Sequence, residues 1–369
     1  VGVVSYWFNR GQATVARNLA GALQLSGHQV AILARPTRAR FERSKFISSD
    51  DVWATPEVTP ASSFSISPSE IREWAVLHGL DAIFFDQYYD FAAVQSVRET
   101  TGAKIIGRFV WEDFAQSHAQ AANSAFHIIY SLHPSEQRRY ASLGIQSPLL
   151  TFPAQSGKVR WSDSDGYLLF NGGYLSSRKP LGAVVQAYAE AKVEMPLVIK
   201  SQTPVHLGNL LRPKSMAHLD FAYHWRKQAS QFLRPLLRRR FPPNICLLVD
   251  DRPSHEYQKL VADAAALVSP SRWEGLGLHL FESMGIGVPL LSNIFAPVSD
   301  FFTNDIDACL TASMVIGRRK NGLAVCEPDV PALADGIRRL QDVHYRRQLS
   351  AQLAVQLEIM IHLYSPQLQ

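Results

Sequence analysis

Short apolar runs alternate with segments of helical periodicity, and the alternation passes through the chain twice. That pattern dictates βα units. A short apolar run fills a strand buried on both faces, and the helix after it returns the chain to start a parallel neighbour. In the first half the runs are 1–6, HQVAILA (28–34), AIFFD (82–86), KIIGRFV (104–110) and FHIIYS (126–131). Between the first two lies TVARNLAGALQLSG, where Val15, Leu19, Ala22 and Leu23 recur at helical spacing and Gly27 ends the helix. Ser67-Pro68-Ser69-Glu70 reads as a helix start, with Ser67 as N-cap, Pro68 at the first position and Glu70 closing a capping box. A further helix is expected over 134–144.

FPAQSGKVRWSDSDG (152–166) is rich in Gly, Ser, Asp and Pro and has no period, so it is read as a linker. Strands resume at 167–171, 196–200, 244–250, 265–270 and 288–292, with helices near 180–191, 254–264, 277–286 and 332–343. The expected fold is α/β: two doubly wound Rossmann-like domains, 1–155 and 160–345, facing across a cleft. The last helix, about 346–369, is expected to pack back on the first domain. Two such domains in tandem place a ligand in the crevice between them, at the carboxyl ends of the strands.

With 47% hydrophobic and 19% charged residues over 369 positions, the chain has enough apolar mass for two cores and is not a disordered or low-complexity protein. Cys246, Cys309 and Cys326 stand far apart with no C-x-x-C spacing, which points away from a disulfide framework or zinc site and toward a reducing compartment. No apolar run reaches the roughly 18 residues a membrane span needs. The opening VGVVSYWF reads as a core strand, not a signal peptide, and no initiator Met precedes it. The expected location is cytoplasmic, either free or peripheral to the inner face of the membrane.

The net charge of +5 has an address. Residues 205–240 hold eight Lys and Arg against Asp220 alone, so the rest of the chain is slightly acidic. Aromatic residues interleave with these charges. One reading is a basic amphipathic helix on an anionic membrane or a pyrophosphate-linked lipid acceptor; the other is a solvated insertion. No nucleic-acid recognition module is visible.

The segment richest in chemistry is SPSRWEGLGLHLFESMGIGVPLLSN (269–293). A strand ends near Pro270 and a helix starts near Gly277. Glu274 falls in the loop before the helix and Glu282 in its second turn. Gly275 and Gly277 let backbone approach a ligand, and the helix start suits a phosphate. The two carboxylates are placed to accept hydrogen bonds from sugar hydroxyls. An isolated Glu-Gly pair would be no more than helix-end charge, but the whole segment is informative.

It resembles the signature of the family-four retaining nucleotide-sugar glycosyltransferases of the GT-B fold, S-x-x-E-G-[FL]-G-L-x-x-x-E-[AS]-M-x-x-G-x-P. The match runs through Ser271, Glu274, Gly275, Gly277, Leu278, Glu282, Ser283, Met284, Gly287 and Pro289. Gly11 with LAGALQLSGHQV, and NGLAVCEPDVPALADGIRRLQD (321–342), resemble the family's flanking segments. The resemblance implies transfer of a hexose from a nucleotide diphosphate sugar, UDP-sugar favoured and GDP-sugar next, to a glycan, glycolipid or natural-product hydroxyl. Glu274 would bind the transferred sugar and Glu282 the ribose. Gly275 and the N–H groups of Gly277, Leu278 and His279 would face the diphosphate, with Gly11 in the family's glycine loop. Lys179 would neutralise the leaving diphosphate.

Where the family often has an Arg, this chain has Gly173, and Arg178 or Lys200 stands in for it. Arg252, in Asp250-Asp251-Arg252-Pro253, lies where the family holds the base. No metal and no cofactor beyond the nucleotide-sugar co-substrate is expected. The family's His after the fourth strand is absent, since Val110-Trp111-Glu112-Asp113 stands there and His118 is too far along. That run either shapes an acceptor site or starts a helix. Other readings are an epimerase or phosphorylase on the same fold, and a non-catalytic nucleotide-sugar-binding protein.

Overall fold

A computed structural model describes residues 1–364 except 38–46, 48–50, 55–56, 151, 153–158, 164, 221–240 and 303–309. Contacts divide the chain into two units, Val1–Ala154 with the chain's end from Met360, and Gln155–Ile359.

The first unit carries strands β1 (Gly2–Ser5), β2 (Ala31–Ala34), β3 (Val58–Pro60), β4 (Ala82–Asp86), β5 (Lys104–Arg108) and β6 (Ile128–Ile129). They pair in the order β3-β2-β1-β4-β5-β6, all parallel. Among the described residues the α-helices of this unit are α1 (Gly11–Leu25), α2 (Pro68–Leu77), α3 (Phe91–Thr101), α4 (Ala119–Ala125) and α5 (Pro134–Ser142). Helix α1 buries Val15, Leu19 and Ala22, three of the four positions singled out by spacing. Ser67 caps α2 by accepting from the Glu70 N–H at 3.2 Å. The expected capping box is not closed: the Glu70 carboxylate accepts instead from the N–H and hydroxyl of Ser62. β3, α3 and α4 are additions to the pattern read from sequence; β3 is short and only partly buried, so its apolar signal is weak.

The second unit carries β7 (Leu168–Gly173), β8 (Leu197–Ser201), β9 (Ile245–Val249), β10 (Ala266–Val268), β11 (Leu290–Asn293) and β12 (Leu310–Thr311) in the order β12-β11-β10-β7-β8-β9, again parallel. Read from β9, this is the same winding as the first sheet, with the reversal between β7 and β10. Leu168, Leu169, Phe170, Leu267, Leu290 and Leu291 are fully buried, each such side chain contributing about 1.5–3 kcal/mol. The hairpin β13 (Ser313–Arg318) and β14 (Ala324–Pro328) is antiparallel and was not visible as an apolar run. Among the described residues its α-helices are α6 (Leu181–Ala191), α7 (Ser254–Ala262), α8 (Leu278–Ile286), α9 (Val298–Phe301), α10 (Val330–Arg339) and α11 (Val343–Tyr364).

Part of the expected linker is docked. Trp161 donates its indole N–H to Ala264 O at 2.9 Å, and Ser162 donates to Ala262 O. Helix α11 belongs to the second unit through Ile359, where Arg346 and Arg347 hold Asp165 and Asp163 and Ser350 donates to Gly287 O. Of the basic stretch 205–240, residues 221–240 lie outside the described residues, as does Cys309. Its first part is anchored: Met216 and Leu219 pack with Trp273 and Val325. No helix of the described residues is long and apolar enough to cross a membrane.

Candidate active site

The second unit's site forms where β10 ends and α8 begins, beside the switch in its strand order. Gly277 occupies the N-cap of α8 at φ +82°, a conformation that a side chain would strain. The turn before it lifts Glu274 away from the strand and turns it toward the loop after β7.

Glu274 is buried and anchors an ion cluster. Its Oε1 accepts from Lys179 Nζ at 2.8 Å and from Ser271 Oγ at 2.7 Å, and Arg178 lies 3.3 Å from Oε2. Burial pushes the Glu274 carboxyl up, but Arg178, Lys179 and His279 outweigh it and hold it well below the usual carboxylate range. Burial, together with Arg178, draws Lys179 down, while Glu274 opposes the shift. His279, in the first turn of α8, is pulled down to about 3, first by burial and then by Lys179. The site at neutral pH is therefore an ionised carboxylate under two cations, with an uncharged imidazole beside them.

Two supports fix this cluster. Asn293, at the end of β11, accepts from the Ser271 N–H at 2.9 Å and donates to Ser271 O at 3.1 Å. Arg272 forms a buried ion pair with Glu327 of β14, at 2.5 Å, and donates from its NH1 to Ser177 O at 2.6 Å. Its own N–H donates to Arg178 O. The Arg178-Lys179 loop is thereby tied to the signature loop through backbone.

Glu282 lies one and a half turns into α8. It accepts from the Tyr257 hydroxyl at 3.1 Å, and that oxygen in turn accepts from Asn171 Nδ2 at 2.6 Å. Burial and the Glu282 charge push the Tyr257 phenol far up, so it remains a donor. Gly275 and Leu276 complete the turn and Leu278 opens the helix, so the expected phosphate-facing residues are contiguous.

Lys200 and Arg252 meet on a different partner. Lys200 Nζ lies 2.8 Å from Asp250 Oδ1 and donates to Asp250 O, and Arg252 Nε lies 2.9 Å from Asp250 Oδ2. The Lys200 hydrogen bond foremost holds the Asp250 carboxyl below its ordinary value. Of the two stand-ins for the family Arg, Arg178 joins Glu274, whereas Lys200 is held by Asp250. Gly173 itself sits at φ +50°, where the β7–β8 register shifts. Among the described residues no group of three or more His, Cys, Asp or Glu is placed to hold a metal ion.

The first unit has its own cavity, of about 610 Å³, beyond the carboxyl ends of its strands. Arg10 and Gln12 line it on either side of Gly11, with Arg35, Gln87, Tyr89 and Asp113 among the other walls. Gly11 opens α1 and is exposed. No α-helix starts at 111–113, contrary to one expectation. Those residues form a turn in which the Asp113 N–H donates to Val110 O, because Trp111 is buried edge-on against His133 at 4.8 Å. His118 stacks with Tyr89, Phe91 and Phe114 and accepts from the Ala115 N–H.

Sequence reasoning missed Tyr257, Asn171, Asn293 and Glu327. Each is far in sequence from what it touches; Asn293 and Glu327 lie inside segments singled out above, but at positions to which the signature gives no role. Arg272 was within the signature but had no visible partner.

No family model and no curated protein matches the chain. Solved structures do. Sucrose-phosphate synthase from Thermosynechococcus elongatus is similar over 100% of this chain and 98% of its own, at 15% identity and TM-score 0.65. HepE of Anabaena, solved with UDP and glucose, matches over 100% and 99% at 10% identity and TM-score 0.60. An α,α-trehalose-phosphate synthase (UDP-forming) from Burkholderia xenovorans, solved with glucose-6-phosphate, matches over 99% and 98% at 10% identity and TM-score 0.58. The likeness is one of fold: the chain has the two-domain α/β architecture of the GT-B glycosyltransferases.

Proposed function

We propose that the chain is a retaining glycosyltransferase that moves a hexose from a nucleotide diphosphate sugar, UDP-sugar by preference, to an acceptor hydroxyl. The observation that carries this reading is the cluster of Lys179 and Arg178 on Glu274 at the start of α8. Two cations and a helix N-terminus favour a diphosphate, and a carboxylate beside them favours sugar hydroxyls. The UDP and UDP-glucose complexes of HepE, on the same fold, support it.

Before donor binds, Glu274 neutralises Lys179. When donor binds, the diphosphate takes over the cations and Glu274 turns to the hexose, so no charge is left buried alone at either stage. The bond from the anomeric carbon to the diphosphate oxygen breaks, and that oxygen keeps the electron pair. The acceptor oxygen bonds to the same carbon on the same face, and its proton leaves with the diphosphate. Stabilising the departing charge is the main demand, and Lys179, Arg178 and the N–H groups at Gly277–His279 supply it. Glu282, held by Tyr257, binds the ribose. Arg252 lies at the base end. The reaction runs without a metal.

The test is UDP release from UDP-glucose, UDP-galactose and UDP-N-acetylglucosamine, with hydrolysis as the slow background reaction when no acceptor is added. Release by the wild type and its loss in Lys179→Ala support the reading. Equal release by both overturns the site assignment.

A further inference from the structure

The ion cluster at the start of α8 spends its polar groups on itself. Glu274 takes Lys179, Ser271 and Arg178, and Asn293 takes the backbone of Ser271. The imidazole of His279 stands apart from this. It is 6% exposed, and its Nε2 is buried with no hydrogen-bond partner among the described residues. A buried polar atom without a partner is a cost, and native folds carry few of them without a use.

Nothing in the packing calls for a histidine here. The signature leaves position 279 open, and Leu278, Leu280 and Phe281 beside it are apolar. A valine or leucine would fill the space with no polar atom to satisfy.

The ring also has a direction. Side chains in a helix lean back toward its N-terminus. A side chain begun on Gly277 would lie 3.7 Å from His279 Cε1, so the ring stands over the turn that opens α8. There it feels Lys179, Glu274 and Arg178. Burial, then Lys179, hold it down to about 3, so at neutral pH it is an uncharged ring with one N–H to give.

The Glu274 carboxylate is no acceptor for that N–H, since Lys179, Ser271 and Arg178 already hold it. A phosphate oxygen brought to the helix start supplies one, and the two cations favour such a group over a neutral one. Donors come from two elements, the Arg178-Lys179 loop and the first turn of α8. Together they outnumber the free oxygens of one phosphate group and suit two.

We infer that the His279 side chain donates from Nε2 to a diphosphate and so helps select it over a monophosphate. That a nucleotide sugar carries this diphosphate rests on the glycosyl-transfer reading; that His279 binds one does not.

Calorimetry on the full chain at neutral pH tests this with UDP, UMP and inorganic pyrophosphate, for the wild type, His279→Ala and His279→Gln. Glutamine restores an N–H donor at the end of a side chain of similar reach; alanine restores nothing. In His279→Ala the affinities for UDP and pyrophosphate should fall at least about tenfold, while that for UMP changes less than about twofold. His279→Gln should recover most of the loss. An alanine effect that was only structural would weaken UMP as well, and glutamine would not mend it. Unchanged UDP and pyrophosphate binding in His279→Ala, an equal fall for UMP, or no recovery in His279→Gln overturns the role of His279. Pyrophosphate binding that depends on His279, with UDP bound no more tightly than pyrophosphate, would count against the nucleotide-sugar reading alone. A wild type that binds neither overturns both.

Discussion

Arg272 and Glu327 form a buried ion pair that joins the signature loop to the β13–β14 hairpin, and the same guanidinium holds the carbonyl of Ser177, two residues before Lys179. Both side chains are about 4% exposed. Glu327→Gln leaves Arg272 charged in a dry site without its carboxylate. The expected loss of stability is about 3–5 kcal/mol, the usual cost of removing one half of a buried pair. The expected loss in kcat is about tenfold, with donor KM little changed, because the loop bearing Lys179 shifts. Urea unfolding and steady-state kinetics check both. The double variant Arg272→Met with Glu327→Leu is expected to recover stability and not kcat.

Lys179→Ala removes the cation that the proposed function sets against the departing diphosphate. Mutations of such charge-stabilising donors cost about 10²–10³ in kcat. Donor affinity should fall far less, since Arg178 and the start of α8 remain. Single-turnover kinetics beside nucleotide binding separates the two effects.

Tyr257→Phe deletes the hydroxyl that donates to Glu282. A hydrogen bond to a charged group contributes about 1.5–3 kcal/mol. The freed carboxylate loses its orientation, so UDP affinity should weaken about tenfold while kcat at saturating donor holds. A fall in kcat with unchanged affinity would move Glu282 out of the ribose role.

The His279 imidazole has a proton affinity far below that of a free histidine, about 3 against 6.5, because it is buried beside Lys179. The unfolded chain therefore binds the proton more readily than the folded one. Stability from this group is complete above pH 6.5 and is lost as the pH falls from there toward 3. In His279→Gln the acid-side decline should be shallower, by on the order of 3–4 kcal/mol between pH 7 and pH 3. Thermal unfolding across that range reads it.

The parallel sheets were legible because strands such as AIFFD and KIIGRFV are buried on both faces and so are nearly all apolar. The helix starts at Ser67 and Gly277 were legible from local chemistry. The hairpin β13–β14 was not, since its first strand is largely solvent-facing and carries Met314 and Val315 among Ser, Gly and Arg. At the site, Glu274 and Lys179 stood out through a resemblance, 95 residues apart in sequence. Tyr257, Asn293 and Glu327 act only through contacts that folding creates, so a single sequence gives them no mark. The unpartnered His279 Nε2 is of the same kind: a missing partner is a property of three dimensions.

The most direct measurement is calorimetric titration of UDP into the full chain, in EDTA, for the wild type and Glu282→Ala. The wild type is expected to bind UDP saturably with an affinity that EDTA leaves unchanged, and the variant at least about tenfold more weakly. No binding of UDP, GDP, ADP or dTDP by the wild type, or equal affinity in the two proteins, would contradict it.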